Sequence, residues 1–224
     1  KKFLDNVFFP RIDRDKIEHI IHLGDVFDER KYINTNTMNR FFHDFAEPLL
    51  DRKLNVHITV GNHDTHYKTT NSINSVRELL RPYPINIYET AQLVEVGDCP
   101  VLMIPWICQN NHEDSMRQIS EAPARVCAGH LEIAGFEMYK GSVVSHGEDR
   151  KIFDRFDLTM SGHFHHRSTD GDIYYLGSHG EFTWNDYNDD RGFHILDTRS
   201  LDLEFIRNPY KMFSKVFYDD SQLT

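Results

Sequence analysis

Cysteine is scarce: Cys99, Cys108 and Cys127 are the only three, and no two are spaced C-x-x-C. An odd count without that spacing excludes a disulfide framework and a zinc ribbon, leaving free, buried thiols in a reducing compartment as the expectation. No apolar run reaches the ~18 residues of a membrane span, so no span is expected. The opening residues lack the charged and apolar regions of a secretory signal. There is no internal repeat and no low-complexity tract. Positive charge is short as well. The 25 Lys and Arg stand against 35 Asp and Glu, a net charge of −10, which argues against gripping nucleic acid by a bulk positive field. It does not exclude an enzyme of nucleic acid, because bound cations offset local acid and a partner subunit can supply basic surface.

What remains is enough for one large domain, or a domain with a short extension: 224 residues, 39% of them apolar. Histidine is abundant at 14 residues, and several stand directly after glycine. The chain is organised around Val60-Gly61-Asn62-His63-Asp64, in which an apolar strand, residues 56–60, runs into a glycine turn. Such a strand presents an amide, an imidazole and a carboxylate in the crevice where open α/β sheets bind ligands. Alone, Gly-Asn-His-Asp reads as a polar turn.

Three other stretches have the same form. Residues 17–23 read as a strand ending in Gly24-Asp25-Val26-Phe27-Asp28, residues 125–128 as one ending in Gly129-His130, and residues 156–160 as one ending in Ser161-Gly162-His163-Phe164-His165-His166. Between them, the first residues read as the end of an amphipathic helix. Caps at 34–37 precede a helix whose core face is Met38, Phe41, Phe42, Phe45 and Leu49. Helices are also expected over 72–80 and 113–119. Two or three short strands fill 85–104, with Gly97-Asp98 as the turn. Residues 135–147 read as a glycine-punctuated functional loop, and strands at 173–176, 192–196 and 201–206 complete the pattern.

The four strand-end motifs carry oxygen and nitrogen donors and no thiolate. That set suits Mn²⁺, Fe²⁺ or Zn²⁺ better than a structural zinc site, and a shared aspartate bridges two ions about 3.5–4 Å apart in two-metal phosphoryl transfer. Together these motifs resemble those of calcineurin-like metallophosphoesterases. Asp25-x-x-Asp28 followed by Arg30, and Gly177-Ser178 near Arg191-Gly192-Phe193, resemble the SbcD-type DNA nucleases, which pair with an SMC-like ATPase in double-strand-break processing. Gly135-Phe136-x-x-Tyr139-Lys140-Gly141 is similar to the bacteriophage members.

The resemblance implies an α/β sandwich of two mixed β-sheets flanked by helices. It implies two divalent ions, with Mn²⁺ first and Mg²⁺, Fe²⁺ or Zn²⁺ as alternatives. By resemblance Asp25 bridges the two; Asn62, His130 and His163 bind the second; His165 binds the first. His63 orients the phosphate and protonates the leaving oxygen, and Asp28 and Asp64 support their neighbours. His66, His112, His146, His166, His179 and His194 receive no role. The implied partners are DNA, the ATPase and a second copy, in the cytoplasm, or the host cytoplasm of a virus. The implied domains are a nuclease domain over 1–208, without its N-terminal strand, and the start of a C-terminal cap or linker over 209–224.

One motif is wanting. The family opens with a strand ending in Asp-x-His that supplies two ligands to the first metal. Here Asp13-Arg14-Asp15 has neither a strand before it nor a histidine after it, so only Asp25 and His165 are expected at the first site. Two other readings therefore stand beside the nuclease: a phosphatase or phosphodiesterase of small substrates, and a docking subunit with impaired chemistry.

Overall fold

The computed structural model describes residues 1–218. In chain order the strands are β1 (His19–His22), β2 (Asn55–Thr59), β3 (Thr65–Tyr67), β4 (Thr70–Asn74), β5 (Ile85–Tyr88), β6 (Gln92–Val96), β7 (Cys99–Ile104), β8 (Val126–Gly129), β9 (Glu137–Tyr139), β10 (Ser142–Val143), β11 (Leu158–Ser161), β12 (Ser168–Asp170), β13 (Ile173–Tyr175), β14 (Gly192–Leu196) and β15 (Leu203–Arg207). The α-helices are α1 (Phe9–Asp15), α2 (Thr35–Phe41), α3 (Glu47–Asp51), α4 (Ser75–Leu80) and α5 (His112–Glu121). Asp13 and Asp15 thus lie in a helix, as their lack of a strand pattern implied.

Alternation along the strands builds layers. In β7, Val101 and Met103 face one apolar cluster while Leu102 and Ile104 face another, the period of two that strand geometry dictates. β7, β8, β11 and β13 are parallel neighbours in a mixed six-stranded sheet edged by antiparallel β6 and β12. One face of this sheet packs on Ile119 of α5 and on Phe153; the other packs on Leu23, Ile21 and Tyr88 of the smaller layer. That smaller layer is β1-β2-β5, all parallel, covered on its far side by Phe8, Phe9, Leu49 and Leu80 from the helices. The chain is therefore α/β with stacked sheets and helices outside.

The smaller layer departs from one mixed sheet. The antiparallel hairpin β14-β15 stands as a separate two-stranded unit, although Leu196 and Leu203 still contribute to the core between layers. Among the described residues no strand hydrogen-bonds β14 to β1, so the layer is divided. Residues 135–147 are also more ordered than a loop, since β9 and β10 pair within them. Thr70–Asn74, partly assigned to a helix from the sequence, is a strand, and the Asn74 side chain then caps α4 by accepting from Arg77 N at 2.8 Å.

The expected helix over 34–49 is present with one change. Phe42–Ala46 is a π-turn between α2 and α3, and Leu4–Phe8 is another ahead of α1. Each precedes a proline, Pro10 or Pro48, near the start of the following α-helix. Proline lacks an N–H and its ring crowds the carbonyl four residues back, so the turn widens and Phe9 N reaches Leu4 O instead.

Candidate metal centre

Two neighbouring parallel strand ends from each layer meet at one edge. β1 and β2 are in register at His22 and Ile58, and β8 and β11 at Gly129 and Ser161. The turns after these four strands carry Asp25, Asn62-His63, His130 and His163. Ligand atoms of Asp25, His130 and His163 all lie within 4.8 Å of one another. His130 Nε2 is 3.2 Å from Asp25 Oδ2, 2.8 Å from Asn62 Oδ1 and 3.0 Å from His163 Nδ1.

The tautomer follows from a contact invisible in the motif. His130 is fully buried and its Nδ1 lies 2.7 Å from the Leu23 carbonyl oxygen. That acceptor requires the proton on Nδ1, so the Nε2 of the neutral ring presents a lone pair. A carboxylate oxygen, an amide oxygen and two imidazole nitrogens then converge with more lone pairs than protons. This oxygen and nitrogen set fits a divalent ion of borderline hardness. Burial opposes the Asp25 charge, but His130 and the His63 N–H outweigh it and bring the carboxyl down to about 2. Burial, then repulsion from His130, depresses His163 to about 3, which keeps that ring free of a competing proton at neutral pH. His130 moves the other way: burial opposes its cation, while Asp25 and the Leu23 carbonyl raise its affinity for a proton.

Asp64 locks the first two turns together. Its Oδ2 accepts from Gly61 N and Asp25 N, both at 2.8 Å, and its Oδ1 from Val26 N at 2.9 Å and Phe27 N at 3.3 Å. The side chain is wholly buried. Burial and the Asp25 charge push this carboxyl up to about 7 against the pull of those donors. Asp25 returns the contact, accepting from His63 N at 2.7 Å. Asp25 itself has φ +53°, a left-handed backbone that a non-glycine residue adopts at a cost of order 1–3 kcal/mol, and which is met at functional sites.

His63 lies at the rim, with 43% of its side chain exposed. Its Nδ1 donates to the Asp28 carbonyl at 2.5 Å, leaving Nε2 for a substrate. The support from Asp28 thus comes through its main chain. Its carboxylate is 98% exposed and 3.9 Å from His63 Nδ1, so the closer contact is the one through the backbone carbonyl.

His165 lies outside the tight cluster. Burial lowers its proton affinity, and its Nδ1 is 4.0 Å from Asp186 Oδ2. Behind it, buried Arg191 donates to the His165 carbonyl, to Ser178 Oγ at 2.9 Å and to Asp186 Oδ1 at 2.8 Å. Sequence reasoning missed Asp186, although Thr183-x-x-Asp186 carries the signature of a capping box, and both of its bonds are present. It also missed Ser161, whose Oγ is 2.9 Å from Leu131 O and 3.1 Å from Leu131 N, fixing the residue after His130.

Residues 2–167 match the family described as calcineurin-like phosphoesterase. The chain belongs to that family. It is also 36% identical, over 199 residues, to exonuclease subunit 1 of Enterobacteria phage T4, spanning 88% of this chain and 58% of that protein's length. A solved structure described as a novel archaeal phosphodiesterase aligns with this chain at a TM-score of 0.41 and 14% identity, over 89% of this chain and 88% of that one. The three cysteines of the chain are free and buried, and no helix among its described residues is long and apolar enough to cross a membrane.

Proposed function

We propose that the phosphoesterase is a divalent-metal-dependent nuclease that hydrolyses phosphodiester bonds in DNA. The observation that carries this is the convergence of the Asp25, Asn62, His130 and His163 donor atoms beside a rim histidine with a free Nε2. Bound divalent ions supply charge neutralisation at the phosphoryl oxygens and activation of water. The residues supply the rest. Asp25 would bridge two ions, and Asn62, His130 and His163 would hold the second, a reading supported by the convergence of their donor atoms. The Leu23 carbonyl orients His130. His63 donates a proton from Nε2 to the departing 3′-oxygen as general acid. His165 is assigned to the first site, where Asp25 is its only companion among the described residues.

The similarity to an exonuclease subunit supports a nucleic-acid substrate. The choice of DNA and the proposed partners, an SMC-like ATPase and a second copy of this chain, with a role in recombination and repair, rest on the resemblance of the Asp25-x-x-Asp28 and Arg191-Gly192-Phe193 stretches to SbcD-type nucleases. Mn²⁺ is the proposed ion. The experiment is paired. Calorimetric titration with Mn²⁺ is expected to find tight binding beside Asn62, His130 and His163, lost in Asp25→Asn. A nuclease assay on linear duplex and single strand is expected to show Mn²⁺-dependent cleavage that Asp25→Asn abolishes. Unchanged stoichiometry and affinity in Asp25→Asn would sink the bridging role. Hydrolysis of small phosphate esters with DNA left intact would replace the nuclease reading by the small-substrate one.

A further inference from the structure

Phe182, a ring that the metal cluster does not use, stands beside His165, and Trp184 follows two residues along the same turn. Phe182 and Trp184 are 54% and 60% exposed. Phe182 meets the His165 ring edge-on, with centroids 5.7 Å apart. Trp184 lies 4.6 Å from Phe213 and 6.3 Å from Tyr187, and Lys215 Nζ sits 4.5 Å over the Tyr187 ring. Single exposed rings are ordinary, but the contiguous cluster of Trp184, Tyr187 and Phe213 is the kind of exposed apolar surface that marks a contact site.

Their backbone is held firmly. Thr183 and Asp186 close the capping box of the turn Trp184–Asp186. Asp186 Oδ2 also accepts from Phe182 N at 2.8 Å and Thr183 N at 2.9 Å. Buried Glu181 straps the chain that carries Phe213, accepting from Met212 N at 2.7 Å and Phe213 N at 3.0 Å. Rings on so fixed a support lose little entropy on binding.

The local charge differs from that of the whole. Glu181 pairs with Lys211 at 3.5 Å, Asp186 and Asp189 with Arg191 at 2.8 and 2.9 Å, and Asp190 with Arg207 at 2.6 Å. With Lys215 these make four carboxylates and four cations among the described residues, a sum of zero on a chain of −10. These paired charges add no net repulsion of a polyanion, and exposed rings offer it something other than charge.

We infer that Phe182 and Trp184 form a stacking platform for unpaired bases of a single-stranded or frayed DNA end beside His165. This rests on reading the metal centre as a DNA phosphodiesterase. Every base has a π-face, so such a platform holds a strand without regard to sequence, while the paired bases of an intact duplex are closed to it.

The test uses the protein in EDTA at low salt, where nothing is cleaved. A single-stranded thymidine 12-mer is expected to quench tryptophan emission and a blunt duplex of equal length to quench it far less. By fluorescence anisotropy of a labelled strand, Phe182→Ala and Trp184→Ala should each weaken binding about tenfold or more, as loss of one stacked base predicts. Trp184→Phe should keep most of the affinity and lose the quenching, which ties the signal to Trp184 rather than Trp106. Melting curves separate these outcomes from misfolding. Alanine variants that melt normally and bind the strand as tightly as the original would overturn the platform, and would assign the rings to a protein neighbour instead. Equal quenching by intact duplex would overturn it too. If stacking is seen but no DNA is cut in Mn²⁺, the nuclease reading fails by itself; cleavage with unaltered binding in the alanine variants is the reverse case.

Discussion

Asp64 shows how one buried carboxylate determines the position of another. Four main-chain N–H groups from two different turns end on it, and each would be left unsatisfied by truncation. Unsatisfied buried donors cost about 1–3 kcal/mol apiece, partly relieved by water. Asp64→Ala should therefore lose about 3 kcal/mol, or roughly 6–12 °C in melting temperature for a chain of this size, and should displace Asp25 from the cluster. Calorimetry without added metal checks it, and a loss below about 2 °C would show that the turns hold without the clamp. His63 is the opposite case. Its imidazole faces outward, and only its backbone N–H serves the cluster. His63→Ala should keep Mn²⁺ affinity near normal while lowering the cleavage rate about 10²–10⁴-fold, the usual worth of general acid catalysis. A matching fall in metal affinity would mean that His63 is a ligand.

The strand-to-turn junctions are the elements on which the site depends, and two glycines there are steric necessities. Gly24 has φ +89°, and a Cβ on it would stand 2.6 Å from His130 Nδ1. A Cβ on Gly61 would stand 2.2 Å from the Asp25 N and Oδ1 atoms. Gly61→Ala should therefore reduce Mn²⁺ affinity at least about tenfold while far-UV circular dichroism stays close to the original, since the clash is with Asp25 and not with the sheet. Unaltered Mn²⁺ binding would show that the two turns can part without harm. Element existence was legible in the sequence, because apolar runs closed by glycine are strong local signals. The hairpin β9-β10 was not, because its strands are two and three residues long and half-exposed, so no alternation marks them.

At the scale of the whole molecule, burial of neutral histidine couples the fold to acid. Burial, and then His179, brings His22 down to about 4; burial, and then Arg167, does the same for His194. Neither Nδ1 has a hydrogen-bond partner. Both folded values lie below the unfolded value near 6.5, so between pH 6.5 and about 4 the unfolded chain binds more protons. Stability is full above pH 6.5 and falls as the pH drops through that window. Urea midpoints at pH 7, 5.5 and 4.5 should decline accordingly, and His194→Gln should decline less steeply. An equal decline in that variant would remove His194 from the account.

The ligand chemistry is written in short stretches of the chain. Aspartate, asparagine and histidine after glycine at four strand ends are local patterns, and their oxygen and nitrogen donors select the class of ion. Most strands and helices are legible in the same way, since alternation and helical spacing are properties of short segments, whereas the layered α/β sandwich is what the family resemblance implied. Which atoms meet depends on the packing of distant segments. The lone pair of His130 faces Asp25 because its other nitrogen finds the Leu23 carbonyl, 107 positions away. Asp28 acts through its carbonyl because its carboxylate turns to water, and Asp186 stands behind His165 because Arg191 holds both. Spacing along a chain encodes a segment's own turn and face. It carries no record of the partner that another strand, folded beside it, brings within three ångströms.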